Sequence, residues 1–348
     1  MRRSVPLLSG FAILAVVFNH ANWHVLERFA PGDPAGLPYL IADQVGKCAI
    51  AAFLAIAGYF IAYATAGGKT ELRWPIINAR LSNLLWPWLI WSGVDFALHV
   101  ALTRRVAWGE LVATPFVHYY FIPLLMAHYL VTPWLARWAR HNPRGLLFGA
   151  ALVQILALAL FYTRLYSTLL PAEVVPWLQV GPLHYLRLAF FFPLGLVLGL
   201  YPQAAQAWLA RLKPILPWLT LALFSASVGE AWIAYGRGGE FWPLGGDQTK
   251  LTSTLFSISL ILTFASAEHL RFPGDRLLSR FGARTYGLYL THYIFLGAFA
   301  RVLEGIWPTV PGWVLLPVLF VATAGAAMVL MEVVARTPAR KLYGFLFG

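Results

Sequence analysis

Long stretches of apolar residues recur along the chain, separated by short segments rich in Arg, Gly and Pro. An α-helix needs about 20 apolar residues to cross the hydrocarbon core of a bilayer. The pattern therefore predicts an all-α integral membrane protein, a bundle of about ten transmembrane helices in a single domain over residues 1–348. The predicted spans are 5–26, 45–66, 81–101, 115–135, 146–163, 184–201, 214–235, 251–268, 285–304 and 312–335.

The composition supports this class of protein. Hydrophobic residues make up 59% of the chain and charged residues only 11%, whereas soluble domains carry roughly 25% charged residues. The single cysteine, Cys48, excludes an intramolecular disulfide and a cysteine-based metal site. The net charge is +12. Its basic residues follow the predicted connections between spans, so we interpret the charge as a signal of membrane topology and expect no nucleic-acid partner.

Basic residues concentrate at the N-terminus and in every second connection, including 67–80 and 269–284. The positive-inside rule then places both termini in the cytoplasm, in agreement with an even number of spans. The outer connections 27–44 and 236–250 are rich in Gly and Pro and are predicted to be irregular. Segment 164–183 is amphipathic and is predicted to be interfacial. The first span is expected to be retained, because it is too long for a signal-peptide core and no A-x-A-like site follows.

Ionisable residues within the predicted spans lie mostly in the outer half of the membrane. Such groups are costly in hydrocarbon unless they face partners or a water-filled cavity. An outward-facing polar cavity would accommodate them together, and snorkelling to the interface is the alternative for those near span ends. The outer-half residues are His20, His24, Lys47, Asp95, His99, His118, His184, Arg187 and Glu230, and the inner-half residues are His128, His292 and Glu332.

His20 and His24 are four residues apart and share a helix face. This spacing suits two metal ligands, but no third ligand follows from the sequence, so no metal site is predicted. A neutral imidazole can instead take a proton from a hydroxyl group. We therefore predict that His20 is a general base, with Asp95 a candidate to orient it.

Six segments resemble, in order and spacing, the membrane acyltransferase family 3 over nearly the whole chain. They are "LLSGFAILAVVFNH" (7–20), "VGKCAIAAFLAIAGYF" (45–60), "NARLSNLLWPW" (78–88), "HYYFIPLLMAHYLVTPWL" (118–135), "FFPLGLVLG" (191–199) and "FGARTYGLYLTHYIFL" (281–296). The resemblance places the family's essential histidine at His20 and its late-chain motif at Tyr289 and His292. For His292, a hydrogen bond that packs helices together is the alternative role.

The chain departs from this family at two positions. Ser9 stands where the family commonly has an arginine eleven residues before the histidine, and Asn83 replaces the second arginine of an R-x-x-R stretch. The resemblance implies that Arg80 binds the phosphates of the acyl donor, and Arg73 and Arg284 are candidates to compensate for the losses. The acceptor site is predicted to include the residues His24, Glu230 and Arg187.

The resemblance implies an O-acyltransferase of the plasma membrane that uses cytoplasmic acyl-CoA, with acetyl-CoA the expected donor. The implied acceptor is a hydroxyl of an extracytoplasmic or lipid-linked glycan, and no permanently bound cofactor is expected. The alternative is a transporter for a small anion or a proton-coupled solute, because buried His and Asp residues also suit proton relays. The hydropathy shows no two-fold repeat of the kind common in transporters.

Overall fold

The computed structural model describes residues 4–65, 74–106, 109, 115–116, 118–166, 185–238, 245–267 and 271–348, and the regular secondary structure in these ranges is helical. The helices are α1 (Ser4–Leu26), α2 (Leu37–Gly46), α3 (Ala49–Thr65), α4 (Trp74–Thr103), α5 (Phe121–His141), α6 (Pro143–Tyr166), α7 (Phe191–Leu200), α8 (Pro202–Leu212), α9 (Leu216–Arg237), α10 (Leu251–Ser266), α11 (Asp275–Ala283), α12 (Thr285–Ile306), α13 (Gly312–Arg336) and α14 (Tyr343–Phe347).

Each predicted span overlaps a helix, and the all-α class is confirmed. Within the described ranges, six segments are long and apolar enough to cross a membrane. They contain α1, α2 with α3, α4, α6, α9 and α13. Helices α7 and α10 are apolar but shorter, and α5 and α12 do not reach the same hydropathy. The number of ten crossings and the cytoplasmic termini therefore stay predictions.

Helix α1 is the central element of the bundle. It packs against α2, α3, α10, α11, α12 and α13, and Ala12, Ile13 and Val17 on it are fully buried. The most extensive helix pair is α3 with α7. A Cβ atom on Gly195 of α7 would overlap the carbonyl of Ala55 on α3. The absence of a side chain on this glycine therefore allows the two backbones to approach closely, as small residues do between membrane helices.

The structure corrects two predicted connections. Residues 37–46 form α2 and not an irregular loop, and Asp43 and Gln44 on it are fully buried. The connection 269–284 contains α11, a strongly amphipathic helix that packs on α1. In the first case Gly and Pro suggested an irregular loop, and in the second the arginines suggested only a connection between spans. Most of the predicted interfacial segment 164–183 lies outside the described residues.

Candidate functional site

A cavity of about 630 Å³ lies beside the C-terminal half of α1. His20 on α1 lines it, together with Tyr289 and Tyr293 on α12. Polar side chains from the turns before α3, α5 and α10 complete the lining, among them Lys47, His118, Tyr120, Asp247 and Gln248. Five separate parts of the chain therefore bring ionisable groups to one space that a substrate can fill.

An aromatic cluster surrounds His20 in this cavity. Its ring centroid lies 5.2 Å from that of His292 and 5.8 Å from that of Tyr293. His20 makes no hydrogen bond to any other residue that the structure describes, so its ring nitrogens are available to a ligand. An imidazole in this state can accept a proton from a bound hydroxyl.

His292 packs directly behind His20. Its Nδ1 donates to the carbonyl oxygen of Tyr289 at 2.6 Å, which leaves Nε2 as the nitrogen with the lone pair. That Nε2 is buried and has no hydrogen-bond partner among the described residues. Buried polar atoms in native proteins are usually paired. The unpaired Nε2 therefore distinguishes His292 from a histidine whose only role is to hold two helices together.

A second histidine in the cavity is paired with a carboxylate. His118 Nδ1 lies 2.7 Å from Asp95 Oδ2, and its ring stacks on Tyr293 with centroids 4.3 Å apart. A carboxylate on Nδ1 fixes the tautomer and leaves Nε2 able to accept a proton. Asp95 thus orients His118, and not His20 as the sequence suggested.

A buried ion pair forms the wall of the cavity next to α2. Asp43 Oδ1 accepts hydrogen bonds from Lys47 Nζ at 2.8 Å, Asn19 Nδ2 at 2.6 Å and Trp23 Nε1 at 2.9 Å. Gln44 Nε2 donates to the other carboxylate oxygen at 2.9 Å. Both ions are shielded from water, with 4% of the Lys47 side chain and none of Asp43 exposed. The four donors stabilise a charge that would otherwise be costly to bury.

Arg187 reaches the cavity through another carboxylate. Its Nη1 donates to Asp247 Oδ2 at 2.7 Å, and its guanidinium lies 4.1 Å from the ring centroid of Phe161. The turn that contains Asp247 ends at Lys250, which is buried and donates to Gln44, Ser227 and Ser253. Burial lowers the pKa of Lys250 to about 7. The turn is thus anchored to α2 and α9, and this anchoring positions Asp247 at the cavity.

The other predicted acceptor residues lie away from this lining. Glu230 accepts hydrogen bonds from Tyr162 and Thr252 and borders a separate cavity of about 430 Å³. His24 is half-buried, one turn beyond His20, and is not part of the lining. The structure therefore brings Arg187 close to the catalytic candidate through Asp247, but not Glu230.

The predicted donor-binding arginines are at the opposite end of the bundle. Arg80 is half-buried on α4 and interacts with Tyr129. Arg284 forms an ion pair with Glu332 on α13, so its guanidinium already has a counter-ion. Arg73 lies outside the described residues.

Sequence reasoning missed three residues of the site. Tyr293 is four residues after Tyr289, and this spacing, which puts both on one helix face, is a signal that would have found it. Asp43 and Asp247 were assigned to loops because Gly and Pro surround them. The i, i+4 spacing of Asp43 and Lys47 indicates their ion pair once residues 37–46 are known to be helical, whereas nothing near Asp247 indicates its pairing with Arg187.

The fold and the site define a class of protein: a helical membrane protein with a cavity that is lined by His20 and His118. The family model described as an acyltransferase domain, acyltransferase family 3, matches residues 4–332, and the chain belongs to this family. The match confirms the resemblance seen in the six sequence segments and makes the chain a membrane acyltransferase. Neither the comparison with curated proteins nor that with solved structures gives a match.

Proposed function

We propose that the protein is a multi-pass plasma-membrane O-acyltransferase. It transfers an acyl group, with acetyl as the expected group, from cytoplasmic acyl-CoA to a hydroxyl of an extracytoplasmic or lipid-linked glycan. The observation that supports this proposal is the position of His20, which lines a cavity of about 630 Å³ and has no competing hydrogen bond among the described residues. Membership of the family supplies the reaction class.

In the proposed reaction, His20 takes the proton from the acceptor hydroxyl as its oxygen attacks the thioester carbonyl. The new C–O bond forms, the C–S bond breaks, and the thiolate of coenzyme A leaves with the proton that His20 releases. The products are an ester and free coenzyme A. General-base help of this kind is worth roughly 10²–10⁴ in rate.

The neighbouring side chains have supporting roles in this proposal. His118, oriented by Asp95, accepts a hydrogen bond from the acceptor through its Nε2 and positions the hydroxyl. Tyr293 stacks on His118 and holds the ring in place. His292 packs behind His20 and fixes the orientation of its ring. Arg187 holds Asp247 at the acceptor side of the cavity.

Single-turnover acyl transfer by the purified protein tests the proposal, with label followed from acyl-CoA to a glycan acceptor. His20→Ala should insert and purify normally, because it removes a polar group without creating a buried charge, and transfer should fall by roughly 10² or more. His24→Ala is the matched control, a histidine on the same helix outside the cavity lining. Transfer by folded His20→Ala at the wild-type rate would remove the mechanism.

A further inference from the structure

A groove of about 820 Å³ lies at the end of the bundle where α1 begins. It is lined by Leu7 on α1, by the turn before α11 and by one face of α11 itself. Three arginines, Arg271, Arg276 and Arg280, contribute to the lining. Among the described lining residues, Asp275 is the one carboxylate, so the groove carries a net positive charge.

The three arginines lack the ion pairs that neighbouring arginines form. Arg284 and Arg336 both bind Glu332. In the part of the chain that the structure describes, Arg271, Arg276 and Arg280 have no ion pair or side-chain hydrogen bond. Their guanidinium groups are exposed and present forked donors that match phosphate oxygens.

Close packing against α1 holds this arginine face in place. A Cβ atom on Gly282 would overlap the carbonyl of Pro6, and one on Gly10 would overlap the carbonyl of Leu278. Ser9 Oγ lies 2.7 Å from Oγ1 of Thr285, the first residue of α12, which follows α11 directly. Helix α11 therefore lies directly on the helix that carries His20, and the groove has a fixed position relative to the catalytic cavity.

The separation of groove and cavity matches the length of the arm that links phosphate to thioester in acyl-CoA. Leu7 borders the groove and Val16 borders the near edge of the His20 cavity, nine residues apart along α1, or about 14 Å. The pantetheine arm has about thirteen bonds between phosphorus and sulfur. Extended like a polypeptide of about four residues, it covers roughly 14 Å. His20 itself is one turn further along α1, about 20 Å from Leu7, so an arm of this length brings the thioester to the edge of the cavity.

We propose that the groove formed by Arg271, Arg276 and Arg280 binds the phosphate groups of the acyl donor, the 3′-phosphoadenosine diphosphate part of acyl-CoA. This inference rests on the proposed function. It explains how the chain holds its donor although Ser9 and Asn83 replace arginines that are common in the family. The bound donor then extends its thioester arm along α1 towards His20.

Calorimetric titration of the purified protein in neutral detergent with coenzyme A tests the proposal. The variant carries Arg271→Gln, Arg276→Gln and Arg280→Gln, and the matched control carries Arg137→Gln, Arg140→Gln and Arg211→Gln. The control removes three charges from exposed arginines predicted to be on the same side of the membrane, outside the groove. A charge-assisted hydrogen bond contributes about tenfold in affinity, so the groove variant should bind at least tenfold more weakly and the control within about twofold of wild type.

Two further arms separate the sources of phosphate. Dephospho-coenzyme A should bind wild type more weakly than coenzyme A, and this difference should shrink in the groove variant. Thermal unfolding in nanodiscs of neutral lipid, with and without phosphatidylglycerol, reports lipid headgroup binding. If the groove variant binds coenzyme A as wild type does but loses stabilisation by phosphatidylglycerol, the groove is a lipid site and the proposal is wrong.

The outcomes also separate this proposal from the proposed function. If wild type binds coenzyme A and transfers acyl groups while the groove variant does both equally well, only the groove assignment fails. If wild type neither binds coenzyme A nor transfers acyl groups, both proposals fail. Equal melting temperatures of wild type and the groove variant would show that weaker binding does not come from unfolding.

Discussion

The buried pair of Asp43 and Lys47 predicts an asymmetric response to mutation. In Lys47→Met, the carboxylate keeps the hydrogen bonds from Asn19, Trp23 and Gln44. In Asp43→Asn, the ammonium group loses its counter-ion, and the amide that replaces the carboxylate has only one oxygen to accept hydrogen bonds from the four donors. Removing the anion should therefore destabilise the protein much more than removing the cation.

The expected magnitudes follow from the burial of both side chains. An unpaired charge left in a buried site costs about 3–5 kcal/mol, and Lys47 is only 4% exposed. Asp43→Asn should lower the free energy of unfolding by about that amount. Lys47→Met removes one charge-assisted hydrogen bond and should cost about 1.5–3 kcal/mol. The double variant contains no buried charge in this pair, and we expect it to be more stable than Asp43→Asn alone.

The four proteins of this double-mutant cycle can be compared by unfolding in mixed detergent micelles, followed by far-UV circular dichroism. The coupling between the two substitutions should reach at least about 1 kcal/mol, because the side chains are in direct contact. If Asp43→Asn and Lys47→Met are equally destabilising and their effects add, the ion pair does not contribute the stability that we attribute to it. The account of the cavity wall would then be refuted.

Three further predictions concern other parts of the structure. His118→Ala and Asp95→Asn should both weaken acceptor binding and leave donor binding unchanged, measured as KM for each substrate; a loss of kcat as large as that of His20→Ala would instead make His118 the base. Burial lowers the pKa of Lys250, which precedes α10, to about 7, against about 10.4 in the unfolded chain. Between these two pH values the unfolded state binds more protons than the folded state. The melting temperature should therefore rise from pH 7 towards roughly pH 10, and an equal rise in Lys250→Met would contradict this. Gly195→Val should cost about 1–3 kcal/mol of stability through overlap with α3, whereas Gly229→Val, which meets no atom within 4 Å, should not; equal melting temperatures would refute the close-packing argument.

The helices could be predicted from the sequence because apolar residues are continuous over the length of each helix. Their ends are less predictable, since hydropathy does not distinguish the end of a span from the end of a helix. Helix α4 begins at Trp74, seven residues before the predicted span, because Asn78 and Arg80 interrupt the apolar stretch without ending the helix. Helices α2 and α11 escaped prediction because they are short, 10 and 9 residues, and because Gly and Pro around α2 and the arginines around α11 indicated connections between spans.

The site could be predicted only in part. The position of a residue along its helix follows from the sequence, but the residue that it contacts on another segment does not. His20 was found from its position within α1 and its resemblance to the family, and Tyr289 from the late-chain motif. The Asp95–His118 pair joins α4 to the turn before α5, and no sequence period relates these two segments. The three arginines of the groove were interpreted as a topology signal, since their lack of counter-ions is a property of the folded chain.

The ionisable groups around the cavity fall into two kinds, and this division connects the fold to the proposed chemistry. Asp43 and Asp247 are each bound to a buried cation and several further donors, so their charges hold α2 and the turn before α10 in place. His20 and the Nε2 atom of His292 have no such partner among the described residues. A polar group that is buried and unpaired costs stability, and a folded protein retains it where a ligand completes it. The rigid ion pairs therefore shape the cavity, and His20, which lines it, is the group that can take a proton from a substrate hydroxyl.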